Sequence, residues 1–83
     1  MSSGIETIDV HGFTRDKAMT YIWRRVKSAG SDVYRVRVIH GHNGGTVIKD
    51  AIWREYRNGK NKVLGITGGD NPGVTELIIR NYY

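Results

Sequence analysis

Apolar and polar side chains alternate from Glu6 onward in Gly4 to Val10, with Ile8 and Val10 on one face and Thr7 and Asp9 on the other. That period of two is the signature of a half-buried strand. The period lengthens after Thr14: Ala18, Ile22, Val26 and Ala29 fall at helical spacing, with Thr14 as N-cap, Asp16 in the first turn and Gly30 beyond the end. Val33 to Ile39 is rich in β-branched residues and sets Tyr34, Val36 and Val38 against Arg35 and Arg37, predicting a second strand. A glycine-containing loop follows. Val47, Ile48, Ala51, Ile52 and Glu55 or Tyr56 then trace a second helix that ends near Asn58-Gly59. Lys62 to Thr67 reads as a third strand, 68–73 as dense turn chemistry, and Val74 to Arg80 as a β-rich hairpin partner.

The order β-α-β-α-β-β predicts an α/β fold, a two-layer sandwich. Strands one to three are expected to pair in parallel through right-handed crossovers, with the fourth running back antiparallel. The result is a mixed four-stranded sheet with both helices on one face. Arg35 and Arg37 support two layers rather than three, because they could not lie under a helix without partners. With 83 residues the chain holds one domain, 1–83, of which 1–4 read as a flexible N-terminus.

Composition narrows the chemistry. The absence of cysteine removes thiolate nucleophiles, CxxC redox pairs, iron–sulfur clusters and Cys-ligated zinc. No apolar run reaches the ~18 residues of a membrane span, so the expectation is a cytoplasmic protein with no membrane partner and, by default, a monomer. A formal charge of +5 favours polyanionic partners, DNA or RNA.

Two predicted strands end alike, in Ile8-Asp9-Val10-His11-Gly12 and Arg37-Val38-Ile39-His40-Gly41, and each leads into a helix. In such sheets ligands sit beyond the carboxyl ends of the strands, which is where both histidines emerge. Asp9 and His11 share a face, so the carboxylate can orient the imidazole and raise its basicity. Such a base could deprotonate a water or a ribose 2′-hydroxyl during phosphodiester cleavage, while His40 protonates the leaving oxygen or steadies the phosphorane. The plainer alternative is that Asp9 caps a loop and His11 fills the strand end. Gly41, His42, Asn43, Gly44, Gly45 and Thr46 precede the second helix and form a natural phosphate cradle of backbone N–H groups. Three histidines also permit a zinc reading, but only Asp9 would complete the set, so no metal ligand is assigned. No cofactor is called for, and a divalent metal such as Mg stays open. Of the basic residues, Arg35 and Arg37 are the better phosphate contacts; Trp23 and Trp53 are expected to close the helix–sheet interface.

Together with Gly68-Gly69-Asp70-Asn71-Pro72-Gly73-Val74-Thr75, these segments resemble the small MutS-related (Smr) domain over nearly the whole chain. That family's pattern is L-D-x-H-G, then I-H-G with a glycine-rich loop and helix, then G-G-x-G-x-T. The resemblance implies a β-α-β-α-β-β sandwich, similar in fold to the C-terminal domain of bacterial translation initiation factor three, and nucleic-acid binding with endonuclease activity on DNA or RNA in some members. It puts Asp9 and His11 in the catalytic motif beside the His40-Gly41 loop. Gly69 and Gly73 of the third segment join the binding candidates. Where the family commonly reads H-G-K-G-x-G, this loop is one residue longer and lacks the lysine, so no permanent cation is expected beside the phosphate.

Three functions are therefore in play. In the first, the chain is an endonuclease with Asp9, His11 and His40 as its catalytic groups. In the second, it is a non-catalytic nucleic-acid-binding module gripping with Arg35, Arg37 and the two loops. The third is a protein-interaction domain with a solvated basic face.

Overall fold

The computed structural model describes residues 4–42 and 45–80. Six elements follow in chain order: β1 (Ile5–Asp9), α1 (Arg15–Ser28), β2 (Arg35–Ile39), α2 (Val47–Tyr56), β3 (Gly65–Gly68) and β4 (Val74–Ile78). They build one four-stranded sheet in the order β1-β2-β4-β3. β1 and β2 pair in parallel, and β4 runs antiparallel to both β2 and β3.

The two-layer β-α-β-α-β-β sandwich is as expected, with one correction. β1, β2 and β3 share a direction, but β3 does not pair with β2, because β4 is inserted between them. Composition explains the placement. β4 buries Val74, Thr75 and Leu77 and suits a central position, whereas β3 is four residues long with a glycine at each end and no fully buried side chain. Short, glycine-bearing strands belong at sheet edges.

One sheet face carries Ile8, Val10, Val36, Val38 and Leu77, which join Ala18, Ile22 and Val26 of α1 and Ile52 and Tyr56 of α2 in a single core. Both helices therefore cover the same face. Ile22, Ile52 and Leu77 are wholly buried, and truncating any one to alanine costs about 2–5 kcal/mol by the usual core penalty. The register sets Thr7, Arg37, Glu76 and Thr67 side by side across the opposite face, with Ile5, Arg35, Ile78 and Gly65 in the next row. That face is open to solvent, as the alternation of Arg35 and Arg37 requires.

Local signals set the element ends. Thr14 Oγ1 accepts the Lys17 N–H at 3.3 Å, the N-cap the sequence predicts. The third strand begins later than Lys62: residues 60–63 form a tight turn in which Lys60 and Val63 exchange backbone hydrogen bonds, both 2.9 Å, with Asn61 at φ 57. Gly4, expected to be part of a flexible terminus, is buried, and its carbonyl accepts the N–H groups of Tyr34 and Arg35. Residues 1–3 lie outside the described residues. Among the described residues, no helix is long and apolar enough to cross a membrane.

Candidate active site

Parallel pairing carries the chain ends of β1 and β2 to the same edge, and a further bond from Val10 N–H to the Ile39 carbonyl, 2.9 Å, holds them together there. Gly41 turns the chain at φ +76, and a Cβ on it would lie 3.5 Å from that of His11, so the two His-Gly loops touch. The third glycine segment closes against them. The Gly73 carbonyl accepts the N–H groups of both His40 and Gly41, at 2.9 and 3.0 Å, and a Cβ on Gly73 would press to 3.2 Å from Gly41 Cα. Between these loops and the first turns of both helices lies an open cleft of about 560 Å³. Phe13, Ile39, Val47, Ile48 and Val74 form its apolar wall; His11, Arg15, Arg37, His42 and Lys49 line it with polar groups.

Asp9 and His11 meet as their spacing predicts. His11 Nδ1 lies 2.6 Å from Asp9 Oδ1, and the same oxygen accepts the His11 backbone N–H at 3.0 Å. A carboxylate only accepts, so Nδ1 carries the proton and the Nε2 lone pair is left for other work. The imidazole bond, followed by the backbone bond, holds the Asp9 carboxyl below its ordinary value. Asp9 thus caps the loop and orients the imidazole at once. The His11 side chain is 70% exposed.

His40 is placed differently. It is 6% exposed, with Nδ1 2.8 Å from the Gly41 carbonyl and Nε2 2.8 Å from Thr75 Oγ1. A carbonyl cannot donate, so Nδ1 bears the proton; Thr75 then donates to Nε2 and accepts from Trp53 Nε1 at 3.1 Å. With both nitrogens committed, His40 holds the Gly41 turn in place and has no site left for a leaving oxygen. The expectation that it acts as acid or oxyanion stabiliser is corrected accordingly.

The glycine cradle is also corrected. The N–H groups of Gly41, Gly45, Gly69 and Gly73 donate to Gly73 O, His42 O, Val74 O and Asn71 Oδ1 in turn, so none of these four is aimed at a ligand. Asn43 and Gly44 lie outside the described residues. The available donors belong to α2 instead. Thr46, its N-cap, gives its hydroxyl to Asp50 Oδ2 at 2.9 Å and makes no side-chain bond to the first-turn amides, and Val47, Ile48 and Lys49 of that turn line the cleft.

Arg35 and Arg37 both face the open side of the sheet, and each is matched by a carboxylate: Arg35 with Glu76 and Arg37 with Asp70, both at 2.6 Å. The guanidinium of Arg37 lowers the Asp70 carboxyl, chiefly by hydrogen bonding. Arg37 lines the cleft; Arg35 does not. Permanent cations at the cleft are supplied by Lys49 and by Arg15, whose Nε also lies 3.4 Å from Asp16 Oδ1; neither is among the contacts expected from the sequence. The available signal was position, since both sit in the first turn of a helix that follows a His-Gly loop. Thr75 was visible as the end of the third motif, but its partner His40 was not. Among the described residues, no three His, Cys, Asp or Glu side chains are grouped to hold a metal ion.

No family model and no curated protein matches the chain. Among solved structures, the crystal structure of the Smr domain of Thermus thermophilus MutS2 superposes with a TM-score of 0.77 at 22% identity, covering 92% of this chain and 99% of that one. The three motifs of this chain meet at one rim, and the chain has the fold of an Smr domain.

Proposed function

We propose that the chain binds DNA or RNA and cleaves a phosphodiester at the Asp9–His11 pair. The carrying observation is the 2.6 Å bond that orients the His11 imidazole at the mouth of a cleft edged by Arg15, Lys49 and the α2 first turn. His11 Nε2 takes a proton from a water or a ribose 2′-hydroxyl. The oxygen so freed attacks phosphorus, the bond to the leaving oxygen breaks, and that oxygen recovers a proton from solvent or from the His11 imidazolium. Lys49, Arg15 and the α2 amides offset the charge that builds on the phosphoryl oxygens. The apolar wall gives an unstacked base a surface to lie against.

The test is cleavage of plasmid and of RNA by the wild type, Asp9→Ala and His11→Ala, with binding measured in parallel. Binding retained and cleavage abolished in both variants supports the reading. Equal residual cleavage in all three identifies a contaminant and ends the enzymatic claim.

One observation favours a second reading, a binding module without turnover: the burial of His40 withdraws the second imidazole from the chemistry. Binding of nucleic acid without cleavage by the wild type would establish it.

A further inference from the structure

The excess positive charge is not where the basic strand residues suggest. On the sheet, Arg35 and Arg37 are neutralised by Glu76 and Asp70, and Arg25 reaches from α1 to Glu6 of β1 with Nε 2.6 Å from Oε2. On the outer side of α1 the one such pair is at its start, where Arg15 Nε lies 3.4 Å from Asp16 Oδ1, and it does not extend along the helix among the described residues. Lys17, Thr20, Arg24 and Lys27 recur at i, i+3, i+7 and i+10, opposite the buried stripe of Ala18, Ile22 and Val26, and all four are exposed. Among the described residues, no carboxylate pairs with Lys17, Arg24 or Lys27. A row of like charges without counterions costs stability through self-repulsion, and a polyanion relieves it.

The row is continuous with the cleft. Lys17 Nζ lies 5.2 Å over the ring of Phe13, which is part of the cleft wall. At the far end, Lys27 Nζ sits 5.7 Å over Trp23, and Lys62 Nζ donates to the Lys27 carbonyl at 3.0 Å, adding a fourth cation. Ten residues of helix separate Lys17 from Lys27, about 15 Å.

We propose that an extended nucleic-acid strand leaving the cleft runs along the outer face of α1, its phosphates on Lys17, Arg24 and Lys27. This rests on the nucleic-acid reading above and changes its footprint. The helical layer carries the backbone contacts, and the ion-paired arginines of the open sheet face do not.

The experiment is fluorescence anisotropy across a salt series, with single strands of about four and about 16 nucleotides, on the wild type and on Lys17→Gln/Arg24→Gln/Lys27→Gln. The longer strand should bind the wild type with a log–log salt slope steeper by about two to three than the triple variant, at about 0.7–0.9 per phosphate contact. The short strand, confined to the cleft, should bind both equally. Single substitutions should each lower the slope by about one contact, and Lys17→Arg/Arg24→Lys/Lys27→Arg should preserve it, which separates charge from folding. An unchanged slope in the triple variant, with wild-type binding intact, overturns the α1 footprint alone. Failure of the wild type to bind either strand overturns the nucleic-acid reading itself.

Discussion

His40 Nε2 stands 2.8 Å from Thr75 Oγ1, and that hydroxyl in turn accepts the Trp53 indole N–H, so one oxygen joins the loop after β2 to β4 and α2. Because Nδ1 is bound to the Gly41 carbonyl, the imidazole acts on the site only through the backbone turn it holds.

Thr75→Val keeps the shape of the side chain and removes the hydroxyl, leaving the buried His40 Nε2 and the Trp53 indole without their partner. A destabilisation of about 1–3 kcal/mol is expected, and Thr75→Ser should recover most of it. Urea unfolding monitored by Trp fluorescence measures both. A Thr75→Val protein as stable as the wild type would show that the network carries no weight.

The Asp9 carboxyl titrates below its ordinary value of 3.8 because His11 bonds to its ionised form. A carboxyl lowered in the folded state contributes stability above its unfolded value, and that contribution disappears as pH falls through the folded value. The Asp9–His11 pair is therefore intact at neutral pH and is broken only in acid. NMR titration of the Asp9 carboxyl carbon should place its midpoint below 3.8, moving up toward that value in His11→Ala. A midpoint indifferent to His11→Ala would mean that the bond is not the cause.

Asp70 competes with any phosphate for Arg37, the one sheet arginine that lines the cleft. Asp70→Asn should free that guanidinium, tighten nucleic-acid binding and steepen the salt slope by about one contact. Arg37→Gln on the Asp70→Asn background should cancel the gain. No change in slope on Asp70→Asn would show that Arg37 cannot reach the ligand.

Gly41 holds φ +76 where the two His-Gly loops meet. Gly41→Ala is expected to cost about 1–2 kcal/mol, since a Cβ is strained in that region of backbone. Cleavage should fall further than stability, because the turn sets the spacing between the loops. A thermal melt beside a cleavage assay separates the two, and equal fractional losses would argue against a positioning role.

Much of the frame was legible in the letters. The period of two in β1 and β2 and the helical stripe of Ala18, Ile22 and Val26 are local properties, because each element must turn its apolar side inward whatever its neighbours are. Asp9 and His11 were equally legible, since residues two apart on an extended chain and its continuation need no tertiary information to meet.

Strand order was not legible. A hairpin of β3 and β4 can dock by either edge, and the choice of β4 beside β2 depends on which strand better fills the two-sided centre of the sheet, a comparison made only on assembly. The fate of His40 and of the arginines was hidden for a related reason. In sequence, His40-Gly41 looks like His11-Gly12, but one imidazole ends beneath α2 beside Thr75 while the other stays in water. Likewise Arg35 and Arg37 look free until Glu76 and Asp70 are folded against them. The chain by itself determines which residues can reach the rim, because periodicity is local. Only the packed molecule decides which keep an unspent proton site or charge there, because hydrogen-bond partners and counterions come from distant segments.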